Sequence, residues 1–80
     1  LTKYLATYWS DKNVRCNALA PGGIDSGQPK TFKRKLSKLI PLGRMAHKKE
    51  YKETILFMIS DASSYMNGFT MVVDGGRTIW

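Results

Sequence analysis

Apolar and polar positions alternate along the chain with two different periods. The first eleven residues have helical spacing, which predicts an amphipathic helix over residues 1–11. The apolar positions of this helix are Leu1, Tyr4, Leu5 and Tyr8. The next segment, Val14–Ala20, places its small side chains on one face, which predicts a strand. Pro21-Gly22-Gly23 follows directly and ends that strand.

A second helix and strand follow after a long connection. Residues 24–46 are broken by glycine and proline, and they predict one helix near Thr31–Leu39. A further helix is predicted over Lys48–Ser60. Its run Ile55–Ile59 is apolar nearly all round, so we expect this helix to be deeply buried. Thr70–Val73 predicts a short strand.

This order of elements predicts the fold class. Two short apolar strands separated by helices are typical of parallel strands joined by a crossover, as in an α/β sheet. Two strands alone do not form a stable sheet. We therefore expect further strands to come from upstream sequence or from a partner chain.

Composition narrows the setting. With 42% hydrophobic residues the chain has enough apolar content for a core. One cysteine excludes a disulfide within the chain, and the longest apolar run is far shorter than the roughly 20 residues of a membrane-spanning helix. No membrane association is expected. With no charged-then-apolar leader at its start, the chain is expected to be cytoplasmic.

Positive charge is concentrated in the second half of the long connection and the helix after it. Between Lys30 and Lys52 there are nine positive residues and one acidic residue, Glu50, so this segment has a net charge of +8. The whole chain has a net charge of +7, so the other residues together carry −1. Three interpretations stay open: a solvated helix face, a contact with an anionic small molecule, or a nucleic-acid surface. Between Lys30 and Ala46, Phe32 is the only aromatic residue among the basic ones that could stack on a base, so we expect no nucleic-acid partner.

Two glycine-containing turns carry the candidate chemistry. The first, at Pro21-Gly22-Gly23, follows a strand end, and ligands of open α/β sheets bind beyond such ends. Ser26 could there offer a hydroxyl to a phosphate or an amide. An ordinary strand-ending turn explains the same residues equally well. At the second turn, Asp74-Gly75-Gly76, a structural role is favoured, with Asp74 accepting backbone N–H bonds and the glycines adopting positive φ.

Four segments, in order, resemble the motifs of one enzyme family. They are Val14–Ile24, Ile40–Arg44, Leu56–Gly68 and Val72–Gly76. These segments resemble those of the short-chain dehydrogenase/reductase family, at the spacing found in that family. The resemblance implies the C-terminal part of a Rossmann-type doubly wound parallel sheet, in the order helix, strand, lid, helix, strand.

The resemblance also implies roles for individual residues. Pro21, Gly22 and Ile24 match positions that lie against the nicotinamide of NAD or NADP, with the Ile24 backbone holding the carboxamide. Ser26 stands where the family usually has a threonine that binds the cofactor. Residues 25–46 match the substrate lid. The implied whole is a homo-oligomeric oxidoreductase, a dimer or tetramer, acting on a small carbonyl or alcohol substrate such as a sugar or nucleotide-sugar derivative.

No catalytic residue and no metal ligand is assigned within the chain. Tyr8 and Lys12 fit the family's Tyr-x-x-x-Lys pattern, but they lie too close to Pro21 in sequence to be its catalytic pair. His47 has no second histidine and no nearby cysteine with which to bind a metal. Two other classes remain as alternatives: a small basic nucleic-acid-binding module and a non-catalytic interaction fragment.

Overall fold

Two parallel strands and three α-helices make up the computed structural model, which describes all 80 residues. The helices and strands, in chain order, are α1 Thr2–Tyr8, β1 Ala18–Pro21, α2 Lys30–Ser37, α3 Lys48–Ile59 and β2 Thr70–Val73. Short 3₁₀ turns lie at Ser10–Lys12, Asp61–Ser63 and Arg77–Ile79. The predicted order of helix, strand, helix-containing connection, helix and strand is confirmed.

The two strands lie side by side and run in the same direction, as the sequence predicts. Their register pairs Ala18 with Thr70 at one end and Pro21 with Val73 at the other. Along β2, Met71 and Val73 are half-buried while their neighbours are exposed, which is the alternation of a sheet covered on one face. Both strands therefore end at the same edge of the sheet.

Strand β1 begins at Ala18, so the prediction that it begins at Val14 is wrong. Before Ala18 the segments share one backbone hydrogen bond, from the Gly68 N–H to the Cys16 carbonyl at 2.8 Å, and two amide side chains supply further bonds. The Asn67 Oδ1 accepts the N–H of Cys16 at 3.0 Å, and the Asn17 Oδ1 accepts the N–H of Phe69 at 3.0 Å. Because side chains supply part of the hydrogen bonding here, the segments are connected without forming a regular strand pair.

Helix α1 is shorter than predicted and buries a different residue. It ends at Tyr8, and Asn13 takes the left-handed conformation with φ 60°. Tyr4 and Tyr8 are exposed, and the only buried residue of α1 is Ala6. Ala6 is buried because its methyl group faces Gly68, where an added Cβ would lie 3.4 Å away. The prediction of an apolar helix face over Leu1, Tyr4, Leu5 and Tyr8 is thus not borne out by burial.

Helix α3 has nearly the predicted bounds, but the prediction of its deep burial is wrong. Ile55 is 47% exposed and Ile59 is 72% exposed, whereas Tyr51 is only 5% exposed. The reason is that two strands offer α3 too little surface to cover its whole circumference. The radius of gyration, 15.4 Å, exceeds the about 12 Å of a compact unit of this length.

Helix α2 begins after Pro29 and ends at Ser37, two residues before the predicted end. Two tight turns follow. In them the Leu39 N–H donates to the Leu36 carbonyl, and the Ile40 N–H donates to the Ser37 carbonyl. None of the helices is both long enough and apolar enough to cross a bilayer.

Candidate functional site

The carboxyl ends of β1 and β2 are joined through one tyrosine. The Gly22 N–H donates to the Val73 carbonyl at 3.1 Å and to the Tyr51 hydroxyl oxygen at 2.9 Å. The Tyr51 hydroxyl in turn donates to the Val73 carbonyl in a short hydrogen bond. Because Tyr51 is a buried residue of α3, these hydrogen bonds link the ends of both strands to that helix.

Gly22 lies where only a glycine fits. A Cβ at this position would come 2.8 Å from both the Cα and the Cβ of Asp74. Gly22 is not in the positive-φ region, so its requirement is close approach rather than backbone conformation. Pro21, the residue before it, is exposed and is the last residue of β1. The predicted bend at Pro21 and Gly22 therefore sits at the sheet edge.

Beyond the bend the chain stays extended and pairs with a second segment. Ile24 forms a parallel bridge with Ala46, in which the Asp25 N–H donates to the Ala46 carbonyl and the Ala46 N–H donates to the Gly23 carbonyl, both at 2.9 Å. In a parallel bridge of this kind, the N–H and C=O of Ile24 itself point away from Ala46. They face the opposite side, where the C=O of Ile24 meets Gln28.

On that side the backbone makes hydrogen bonds to the side-chain carboxamide of Gln28. The Gln28 Nε2 donates to the Ile24 carbonyl at 3.0 Å, and the Gln28 Oε1 accepts the Ser26 N–H at 2.9 Å. The Ile24 N–H donates to no group of the chain. The Ser26 side chain is exposed, and its hydroxyl makes no hydrogen bond within the chain. We call residues 24–28, with these groups, the carboxamide loop.

The carboxamide loop is linked to α2 by charge and by packing. Asp25 forms an ion pair with Lys33 at 2.9 Å and accepts the Gly27 N–H at 3.3 Å. The hydrogen bond from Lys33, followed by that from Gly27, lowers the pKa of Asp25 below its usual value. Leu36 packs against Gly23, where an added Cβ would lie 2.8 Å from the leucine Cδ2.

The other basic residues in and next to α2 form no ion pair with the loop. They are Lys30, Arg34, Lys35 and Lys38, and all four are exposed. Of the lysines between Lys30 and Lys38, Lys33 is therefore the one that the structure brings to the candidate site. Its charge is already balanced by Asp25. The basic cluster of the sequence is thus mostly an outward surface.

The turn after β2 is held by Asp74, as the sequence predicts. Its carboxylate accepts the Gly76 N–H at 2.9 Å and the Thr78 N–H at 3.1 Å. Hydrogen bonding from Thr78, followed by that from Gly76, lowers the pKa of Asp74. Gly75 and Gly76 have φ of 66° and 94°, which confirms the predicted positive φ. Asp74 therefore fixes the backbone that Gly22 approaches.

A small cavity of about 90 Å³ lies beside the joined strand ends. Its walls include Gly23, Ile40, Arg44, Glu50, Tyr51 and Asp74. The Arg44 guanidinium makes two hydrogen bonds to Glu50, at 2.7 and 3.0 Å, and Glu50 also accepts the His47 N–H at the start of α3. The hydrogen bond from Arg44, then that from His47, lowers the pKa of Glu50 to about 2. Gly23, the residue after the bend, therefore lines this cavity.

Sequence reasoning missed Tyr51 and Gln28. Tyr51 precedes Ile55 by four residues, so helical phase could have placed it on an apolar face despite its charged neighbours. For Gln28 no pattern in the sequence indicates that its side chain turns back to the Ile24 carbonyl. That contact depends on the path of the loop.

Tyr8 and Lys12 lie by the opposite end of the sheet. Helix α1 is attached through its Ala6 carbonyl, which accepts the Asn67 Nδ2–H at 3.1 Å, and Asn67 precedes β2. Tyr8 stacks on Tyr4 with ring centroids 5.8 Å apart, and Lys12 lies 4.0 Å from Asp11. The structure thus keeps this pair away from the joined carboxyl ends of the strands, as expected from its spacing.

Comparison with known proteins gives one consistent result. The sequence model of the family described as enoyl-(acyl carrier protein) reductase matches residues 1–78. A galactitol 2-dehydrogenase (L-tagatose-forming) of Cereibacter sphaeroides is 38% identical over 87 residues, which is 100% of this chain and 34% of that protein. The chain belongs to the short-chain dehydrogenase/reductase family. An NADP-dependent mannitol dehydrogenase of Hypocrea jecorina is another relative, 40% identical over 98% of this chain and 30% of that protein.

Solved structures agree with this family membership. A short-chain dehydrogenase of Leptospira borgpetersenii with bound NAD⁺ matches with a TM-score of 0.89 and 36% identity, over 96% of this chain and 30% of that chain. A Bacillus anthracis short-chain dehydrogenase matches with a TM-score of 0.86 and 35% identity, over 96% of this chain and 32% of that chain. The Rossmann-type α/β fold class is therefore confirmed. The chain spans about a third of the length of these relatives.

Proposed function

We propose that the intact protein carrying this chain is an NAD(P)-dependent oxidoreductase, in which Pro21, Gly22, Ile24 and Ser26 contact the nicotinamide end of the cofactor. Such a cofactor exchanges a hydride with the carbon of a carbonyl or alcohol substrate. Family membership supports the reaction class, since the relatives include a galactitol 2-dehydrogenase and an NADP-dependent mannitol dehydrogenase. The Leptospira relative with bound NAD⁺ supports the cofactor class.

One observation in this chain carries the assignment of the site. The carboxamide loop already holds a primary carboxamide, that of Gln28, between the Ile24 carbonyl and the Ser26 N–H. A nicotinamide carries the same functional group, so the hydrogen-bonding groups of this backbone fit it. The Ile24 N–H and the Ser26 hydroxyl add one donor and one donor-acceptor without a partner in the chain.

The neighbouring residues define what each part of the chain does in this proposal. Gly22 lets the ends of the two strands approach each other closely, because a Cβ at this position would meet Asp74 at 2.8 Å. Tyr51 and Asp74 hold that bend in position. The Tyr51 hydroxyl is itself engaged with Val73, so the proton of the substrate alcohol is exchanged with a group outside these residues. This chain binds and orients, and none of its residues is assigned a catalytic role.

Residues 25–46 are proposed as the substrate lid, because α2 rests on the candidate site through Leu36 and Lys33. The polyol relatives support a sugar or sugar derivative as substrate. An anionic substituent would meet Lys33, in competition with Asp25, rather than the outward-facing lysines. Exposed apolar residues, including Ile59 at 72% and Trp80 at 74%, support a homo-oligomer.

The test is a binding titration of the intact protein with NADH and NADPH, followed by fluorescence. We expect at least one nucleotide to bind and to support oxidation of a polyol. Ser26→Ala should weaken binding about three- to tenfold, the value of one hydrogen bond, while Ser26→Thr restores it. Binding of neither nucleotide would overturn the proposal. Equal nucleotide affinities of the Ala and Thr variants would show that the Ser26 hydroxyl does not contact the cofactor.

A further inference from the structure

The side chain of Gln28 makes the same type of contact that a bound nicotinamide would need. Its amide NH₂ donates to the Ile24 carbonyl at 3.0 Å, and its amide oxygen accepts a hydrogen bond from the Ser26 N–H at 2.9 Å. The Ile24 carbonyl lies outside any helix or strand ladder and has no other donor in the chain. This carbonyl is therefore occupied before any ligand arrives.

We propose that Gln28 is an internal competitor of the nicotinamide carboxamide, and that cofactor binding displaces its side chain from Ile24. This inference rests on the proposed function, because it concerns the regulation of the same site. In the closed state, before the cofactor binds, the Gln28 amide makes hydrogen bonds to the Ile24 carbonyl and the Ser26 N–H. In the open state, the nicotinamide amide donates to the Ile24 carbonyl instead, and the Gln28 amide is turned toward solvent.

The surroundings of Gln28 allow this exchange. The side chain is half-buried, so it can reach water without disturbing the core. A Cβ added at Gly27, the residue before it, would have no atom within 4 Å, and the φ of 90° at Gly27 marks a turn that does not pack on the rest of the fold. The backbone after Gln28 is held at Pro29 and α2, so that only the side chain has to move.

The loop stays anchored while Gln28 moves. The Asp25–Lys33 ion pair and the hydrogen bonds between Asp25, Gly23 and Ala46 do not involve the glutamine. Displacement therefore exchanges one amide for another without opening the Ile24–Ala46 bridge. Since the closed state does not bind the nicotinamide amide, the apparent association constant is the intrinsic one multiplied by the fraction of molecules that are open.

The test compares two ligands on the intact wild-type protein and on Gln28→Met, which keeps the side-chain length and removes the amide. NADH, or NADPH if that is the nucleotide bound, should bind the methionine variant about three- to tenfold more tightly, because one competing hydrogen bond is lost. ADP-ribose, or its 2′-phosphate for an NADP-dependent protein, lacks the nicotinamide and should bind both proteins equally. Its unchanged binding also shows that the variant is folded.

A second measurement follows Gln28 directly. In the ¹⁵N-labelled protein, the side-chain NH₂ resonance of Gln28 should shift with the reduced nucleotide and stay unchanged with the ligand that lacks nicotinamide. Equal or weaker nucleotide binding by Gln28→Met would overturn the competition, and so would tighter binding of both ligands. If wild type binds no nicotinamide nucleotide at all, the proposed function itself fails, which is a distinct outcome.

Discussion

The two ends of the same short sheet are held together in different ways. At the amino end, side chains bind the backbone of neighbouring segments: the Arg15 guanidinium donates to the carbonyls of Ser63 at 2.8 Å, Met66 at 3.0 Å and Met58 at 3.4 Å. At the carboxyl end, a glycine contact and one tyrosine hydroxyl join the strands, and the Ile24 N–H is left without a partner.

This difference separates structural from ligand-binding chemistry within one sheet. At the amino end, the side chains of Arg15, Asn17 and Asn67 link the segments that lead into the two strands. The carboxyl end, where the two backbones approach closely at Gly22 and Asp74, is the one where ligands of open α/β sheets bind. Variants at the two ends should therefore separate stability from nucleotide binding.

The largest effect is expected at Gly22, in the carboxyl end. Gly22→Ala places a Cβ 2.8 Å from backbone and side-chain atoms of Asp74, so the strand ends must move apart. We expect the free energy of unfolding to fall by about 3 kcal/mol and nucleotide binding to be lost. Denaturant unfolding of the intact protein measures the first effect and fluorescence titration the second.

The matched control is Gly43→Ala. Gly43 has φ 76° and nothing within 4 Å of its Cβ position, so that substitution costs only backbone strain of about 1 kcal/mol. If Gly22→Ala cost no more than this control, close approach would not be what holds the carboxyl end.

The next effect is expected at Arg15, in the amino end. Arg15→Ala leaves three carbonyls without their charged donor and should cost about 2 kcal/mol of stability. Arg15→Lys retains the charge but cannot reproduce the planar arrangement of donors, so it should recover only part of this loss. Denaturant unfolding measures both. The affinity of the folded variants for the nucleotide should stay at the wild-type value; a parallel loss of affinity would contradict the separation of the two ends.

A smaller effect is expected at Tyr51. Tyr51→Phe removes the hydroxyl that bridges Gly22 and Val73 but retains the buried ring and the direct hydrogen bond between those two residues. The expected loss is about 1 kcal/mol of unfolding free energy, measured by thermal or denaturant unfolding. Tyr65→Phe serves as control, since Tyr65 is 103% exposed and makes no hydrogen bond through its hydroxyl. Equal stability of the two variants would show that the bridge contributes nothing.

The smallest effect concerns Glu50 at low pH. Its pKa in the folded protein is about 2, below the ordinary value of 4.5, so its ionised form stabilises the fold above pH 4.5. This contribution is lost as the pH falls from about 4.5 through about 2. Glu50→Gln keeps a capping side chain at the start of α3 and removes the charge.

The difference in unfolding free energy between wild type and Glu50→Gln should therefore be constant near neutral pH and vanish toward pH 2. Unfolding curves at a series of pH values measure it. A difference that does not change with pH would mean that the Arg44 ion pair does not stabilise the ionised carboxylate.

Local patterns in the sequence predicted the elements of the fold, and they did so best where local chemistry decides. The bounds of β2 at Thr70–Val73 are as predicted, because a segment rich in β-branched residues ends in a glycine turn. The hydrogen bonds that Asp74 accepts from the backbone of its turn also follow from residue type alone. Burial was predicted less well: Ile55 and Ile59 are exposed, since burial depends on what else covers a helix.

For the candidate site, the sequence indicated the bend at Pro21 and Gly22, and the structure brings it beside β2 at the edge of a cavity. The roles of Pro21, Gly22, Ile24 and Ser26 in cofactor binding stay predictions. What sequence reasoning could not reach were contacts between distant segments, such as Tyr51 with Gly22 and Leu36 with Gly23. These depend on how the long connection folds back over the strand ends.

By itself the sequence determined the order of elements, the parallel pairing of two strands and the family to which the chain belongs, because periodicity and turn residues act over a few neighbouring positions. Only the tertiary structure decided that Tyr51 joins the strand ends, that Lys33 alone of the α2 lysines reaches the loop, and that Gln28 occupies the Ile24 carbonyl. Each of these contacts requires a side chain and a backbone group to meet in space. No local pattern encodes that meeting, since it depends on the path of the whole chain.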